Sequence, residues 1–177
     1  MIHYEEEEPP VSPEALAAAE QRLAELGVQI PPSYREFLQQ RDSARPVESE
    51  FAFHQDGRPA KGEVGYFLGV APVAFPAAMN LVDVVAIGNI PTGVLPIADD
   101  AGGNHICLDA REGRDGPVLF WDHEEGTGEP EDESNLYFVA PDLQSFLDSL
   151  TEPEPIPEEL LHPPKQRRFD WRRLFGR

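Results

Sequence analysis

The sequence predicts an α+β fold: a single domain in which an antiparallel sheet of about five or six strands packs against about four helices. Three observations predict it. Short apolar runs between Gly- and Asp-rich turns fill Val94 to Glu124. Apolar residues at helical spacing precede and follow that stretch. Helix and strand patterns are segregated along the chain, not alternating as in a βαβ repeat.

The central stretch reads Val94-Leu95-Pro96-Ile97-Ala98, then a turn through Asp99, Asp100, Gly102 and Gly103, then His105-Ile106-Cys107-Leu108-Asp109. A second polar turn, Arg111 to Gly116, leads to Pro117-Val118-Leu119-Phe120-Trp121-Asp122-His123-Glu124. This is the pattern of a meander. Gly102, Gly103, Gly113 and Gly116 are expected to supply positive φ in its turns. The apolar runs are nearly continuous, so both faces of this sheet are expected to be covered.

From the N-terminus, residues 1–11 are acidic and expected to be loose. Ser12-Pro13-Glu14 opens a first helix, with Ser12 as cap, Pro13 in the first turn and Val11 placed to staple onto Leu16. Leu16, Ala19, Leu23 and Leu26 form its apolar stripe, and Gly27 stops it. Ile30-Pro31-Pro32 leads into a second helix over 33–40, facing inward through Tyr34, Phe37 and Leu38. Arg41 to Ser49 reads as a loop. Phe51 to His54 is a strand fragment, Asp56 to Pro59 a turn, and Val64 to Val70 a second strand. Pro76 to Ala86 suggests a third helix, against its β-branched run Val82-Asp83-Val84-Val85. Residues 125–134 form an acidic, exposed loop. Tyr137 to Ala140 is a short strand. Leu143, Phe146, Leu147 and Leu150 mark a last helix. The domain is therefore expected over 12–150. A stiff Pro/Glu linker (151–164) and a basic aromatic tail (165–177) follow.

Charge narrows the function classes. The 177 residues carry 14 Lys and Arg against 33 Asp and Glu, a net of −19. The tail holds six basic residues and one acidic, net +5, which leaves −24 on residues 1–164. Such a body repels nucleic acid and anionic lipid and suits a basic partner. The single cysteine, Cys107, rules out an internal disulfide framework and suits a reducing compartment. No apolar run is long enough to span a membrane, and Glu5 to Glu8 are unlike a secretory signal, so a cytoplasmic location is expected.

Four pieces carry a family resemblance. They are Ile30-Pro31-Pro32-Ser33-Tyr34-Arg35-Glu36-Phe37-Leu38; Leu95-Pro96-Ile97-Ala98-Asp99 with Gly102-Gly103-Asn104-His105-Ile106-Cys107-Leu108-Asp109; Gly116 to Glu124; and Val139-Ala140 leading to Phe146-Leu147-Asp148-Ser149-Leu150. In this order and spacing, over roughly 12–150, the chain resembles the SUKH superfamily. That superfamily includes the Smi/Knr-like cell-wall assembly regulators of fungi and many bacterial immunity proteins. The chain departs from the pattern where Arg41-Asp42-Ser43-Ala44-Arg45 replaces a frequent Asn-Gly-Gly turn, and in its basic aromatic tail. The resemblance implies an α+β domain that binds another protein, in bacteria usually a polymorphic toxin. It carries over no catalytic residue.

The residues themselves offer little reactive chemistry. Asp99, Asp100, Asn104 and Asp109 are oxygen donors in a short span, but they lack the EF-hand pattern and suit a hairpin turn as they stand. His123 lies between Asp122 and Glu124, but neighbours on a strand point to opposite faces and make poor co-ligands. His105 and Cys107 share a face, with Cys107 read as a small buried hydrophobe. No catalytic residue, metal or cofactor is expected. The best partner-facing set is Glu124, Glu125, Glu129, Glu131, Asp132 and Glu133, because a nuclease toxin is basic where it binds phosphates. Arg168, Trp171, Arg172 and Phe175 of the tail are expected to dock on the acidic body or on a partner. What the resemblance implies, with these readings beside it, is a non-enzymatic bacterial immunity protein that neutralises a cognate toxin by stoichiometric binding. The alternative is a regulatory or scaffolding module with a non-toxin partner.

Overall fold

The computed structural model describes residues 2–71, 80–87, 89–127, 129 and 131–155. Helix α1 (Pro13–Glu25) begins where Ser12 Oγ accepts the Ala15 N–H at 3.1 Å. It ends before Gly27, whose φ is +78°. Leu16, Ala19 and Leu23 are buried, but Leu26 is 43% exposed because the helical stripe has already ended at this cap residue. Helix α2 (Pro32–Gln40) buries Tyr34, Phe37 and Leu38. The Tyr34 and Phe37 rings stack at 5.3 Å. The Tyr34 hydroxyl lies 2.7 Å from the carbonyls of both Leu68 and Ile97, which share its one donor proton.

The acidic start is not loose. Residues Tyr4–Glu7 form strand β1, antiparallel to β2 (Ala44–Pro46), which lies in the segment read as a loop. Strands β3 (Glu50–Gln55) and β4 (Arg58–Glu63) make a hairpin through a two-residue turn. Asp56 and Gly57 both take positive φ there, 51° and 75°, the conformation an Asp-Gly hairpin turn needs. Only a turn was expected over 56–59, because Arg58-Pro59-Ala60-Lys61-Gly62-Glu63 lacks β-branched residues. Tertiary contact explains the strand: Gly62 lies opposite Phe51, and a Cβ at Gly62 would sit 2.3 Å from the Phe51 ring. The described part of the third helix is α3 (Leu81–Ile87); positions 76–79 lie outside the described residues.

The central meander is as expected. Strands β5 (Val94–Asp99), β6 (His105–Asp109), β7 (Val118–Trp121) and β8 (Leu136–Ala140) run in that order, all antiparallel. Helix α4 (Leu143–Ser149) follows, capped by Asp142, which accepts the Ser145 N–H at 2.7 Å. Positive φ occurs at Gly103 and Gly113 but not at Gly102 or Gly116. Val64 to Val70 is not a continuous strand. Single bridges from Phe67 to Ala44 and to Ala98 tie β2 to β5, so β1–β2 extends the meander's sheet. The described residues thus hold eight strands and four α-helices, the extra strands being β1, β2 and β4.

Both faces of the meander are covered. Leu95, Ile97, Ile106, Leu108, Val118 and Phe120 point into the main core with the helices. Phe51, Phe53, Phe120 and Phe146 join there as an aromatic group. Val94, Cys107 and Trp121 form a smaller cluster on the other face, packed by Ile90 and Leu136. Asp42, in the expected loop after α2, is only 2% exposed. Its two carboxylate oxygens accept the N–H groups of Val70 and Ala71 at 2.9 and 3.0 Å.

Candidate functional site

The acidic loop joins β7 to β8, and its described residues are tied to one another by their own polar side chains. Asn135 is buried, and its Nδ2 donates to the carbonyls of Asp122 and Glu125 at 2.7 and 2.8 Å. Asp132 accepts the N–H and hydroxyl of Thr127 at 2.6 and 2.8 Å through one oxygen. Through the other it accepts the Ser134 N–H at 2.9 Å. These bonds, those from Ser134 first, hold its carboxyl well below the usual carboxylate range. The loop also clasps its neighbours. The Tyr137 hydroxyl donates to Glu125, which pushes the phenol up to about 12. Glu133 pairs with Arg111 at 2.9 Å.

The six carboxylates expected to face a partner therefore divide. Asp132 turns onto the loop's own backbone, Glu125 onto Tyr137 and Glu133 onto Arg111. Glu124, Glu129 and Glu131 are exposed. Asp56, at the β3–β4 turn, shares a cleft of about 400 Å³ with Glu125 of the loop. Gln55, Asp56, Arg58, Pro59, Ala60 and Glu125 line it. The sequence reading missed the hairpin half of this surface. Its one signal was the Asp56-Gly57 pair, which forms the tight turn that presents these residues. Arg168, Trp171, Arg172 and Phe175 lie outside the described residues.

The other candidates are occupied by structural work. Asp100 accepts the N–H groups of Gly102 and Asn104, both at 2.8 Å, and the Asn104 side-chain amide at 2.8 Å. Asn104 Oδ1 in turn accepts from the His123 backbone at 3.1 Å and lies 2.8 Å from His123 Nδ1. Asp109 faces Arg111 at 3.5 Å. His105 is buried and stacked on Trp121 at 5.7 Å, and burial holds its imidazole below the ordinary value. Cys107 is fully buried, which pushes its thiol up and away from nucleophilic use. Among the described residues no three His, Cys, Asp or Glu side chains converge on a point that could hold a metal ion.

Asp99 has a measurable consequence. Burial pushes its carboxyl up to about 6, against the pull of the Tyr66 N–H it accepts at 2.7 Å. A carboxyl that titrates higher in the folded chain than in the unfolded one binds its proton more tightly when folded. Stability from this group therefore rises as pH falls from about 6 toward 4, and is lower above that window. Asp99→Asn removes the ionisation and keeps an acceptor for Tyr66. We expect the variant's gain over the parent at pH 7 to shrink by roughly 2 kcal/mol at pH 4.5 in urea titrations. A constant difference across that range would contradict the assignment.

The comparison with known proteins agrees with this architecture. The profile of the SMI1 / KNR4 family (SUKH-1) matches residues 10–149. The chain belongs to the SMI1/KNR4 family. That SUKH match takes in α1 to α4, including the meander and the acidic loop, and ends at the last residue of α4. The family includes toxin immunity proteins and is generally non-catalytic. A similar sequence is an SPbeta prophage-derived uncharacterized protein, YokK, of Bacillus subtilis (strain 168). It is 39% identical over 66 residues, 37% of this chain. The match spans only 30% of that relative's length. No described helix of this SUKH chain is long and apolar enough to cross a membrane.

Proposed function

We propose that this SUKH domain is a non-enzymatic bacterial immunity protein, acting in the cytoplasm, that neutralises a cognate basic toxin domain by stoichiometric binding. The observation that carries this reading is the set of hydrogen bonds that ties the described residues of the β7–β8 loop to one another. Its exposed carboxylates, Glu124, Glu129 and Glu131, stand on a backbone fixed by Asn135 and Asp132. A fixed carboxylate array loses little conformational freedom on binding, and its field steers a cationic partner. Family membership supports a protein as the partner.

The test begins with the product of the neighbouring gene as candidate toxin. Co-expression should relieve its growth arrest, and the two chains should form a one-to-one complex. The triple variant Glu124→Lys, Glu129→Lys, Glu131→Lys should slow association by tenfold or more at low ionic strength, and less at high salt. An unchanged association rate would remove the loop from the interface. A partner without growth-inhibiting activity would move the chain to the regulatory or scaffolding class.

A further inference from the structure

The largest groove among those described is not the one beside the acidic loop. It lies where β1 meets the end of α2 and α4, and has a volume of about 710 Å³. Tyr4, Leu147 and Leu150 give it an apolar wall. Glu7, Glu48 and Asp148 give it a carboxylate rim. It already holds one cation on an aromatic face, since the Arg41 guanidinium lies 4.4 Å from the Tyr4 ring centre. The Tyr4 hydroxyl is buried there and has no hydrogen-bond partner among the described residues.

We infer that this groove is the docking site of the chain's own C-terminal segment, residues 165–177. The chemistry matches on both counts. Phe169, Trp171, Leu174 and Phe175 supply apolar rings and side chains, and Arg168, Arg172 and Arg173 supply guanidinium groups for the rim. The tail's +5 faces a body of −24. Reach is sufficient. Leu150 is itself part of the groove, and the chain is tied down just beyond it by the Glu50–Thr151 bridge. From Leu150 to Pro155 the chain covers at most about 18 Å, and the ten residues from Pro155 to Lys165 cover up to about 35 Å. The tail can therefore return to where it left. A tether of that length holds it at an effective concentration on the order of millimolar, so modest contacts suffice. The acidic loop is not involved, so this docking stands or falls separately from the partner site.

Hydrogen exchange read by mass spectrometry on the full chain tests it, with a synthetic peptide of residues 165–177 as reference. Amides of the tail should exchange at least tenfold more slowly in the protein than in the peptide. Asp148→Lys and Glu48→Lys, made separately, should each bring the tail back toward the peptide rate. Unchanged protection of β5–β8 shows that each variant is folded. A tail that exchanges like the peptide in the parent protein overturns the inference. So does protection that survives both substitutions. Protection that grows with protein concentration also overturns it, because the occupant is then a second copy.

Discussion

Replacing Tyr34 by Ala should cost the fold about 4 kcal/mol, read from urea or thermal unfolding. The ring is fully buried between Phe37 and the sheet, so truncation leaves a ring-sized cavity in the main core. Its hydroxyl also connects two separate backbone segments, at Leu68 and Ile97. The carbonyl of Ile97 has a second donor, the Leu68 N–H at 2.9 Å, but no other donor is seen for the Leu68 carbonyl among the described residues. Tyr34→Phe isolates that part and should cost about 1–2 kcal/mol, the usual penalty for one buried polar group left unpaired. If Phe and Ala were equally damaging, cavity formation would not be the main term.

The second large effect is at Asp42. Asp42→Ala should cost about 3 kcal/mol by the same measurement, because it strands two N–H groups, those of Val70 and Ala71, away from water. Asp42→Asn should cost less, since its one remaining oxygen still accepts from one of them. Gly69 packs directly against this carboxylate. A Cβ at Gly69 would lie 2.7 Å from Asp42 Oδ2. A carboxylate that merely decorated the surface would show a loss under about 0.5 kcal/mol, and that result would refute its role as a clamp.

These two residues also mark the boundary of what was legible. Tyr34 was readable as an inward residue of α2, because periodicity reports which face is buried. That its hydroxyl would bridge residues 68 and 97 was not readable, because no local rule links positions so far apart. Asp42 looked like an ordinary loop carboxylate. Helix α1 and the meander were legible because each carries its own punctuation, Ser12 and Gly27 for the helix and the Gly-Asp turns for the strands. Strand β1 was not, because Tyr4-Glu5-Glu6-Glu7 has the composition of a solvated tail and becomes a strand only by pairing with β2. In the acidic loop, composition gave the location but not the orientation. Asp132, Glu125 and Glu133 look like Glu129 and Glu131 in sequence, yet the first three are engaged by Thr127 and Ser134, by Tyr137 and by Arg111. The single local hint was Asp132 two residues before Ser134, a spacing that favours an Asx turn.

Strand β1 has one more consequence. It is the outermost strand of the extended sheet, so its outward row of N–H and C=O groups is a template on which a foreign strand could grow. Three consecutive glutamates occupy that rim. Glu5 and Glu7 are exposed there, so a copy of the molecule that approached rim to rim would bring like charges together, and stacking into a fibre from that side is resisted.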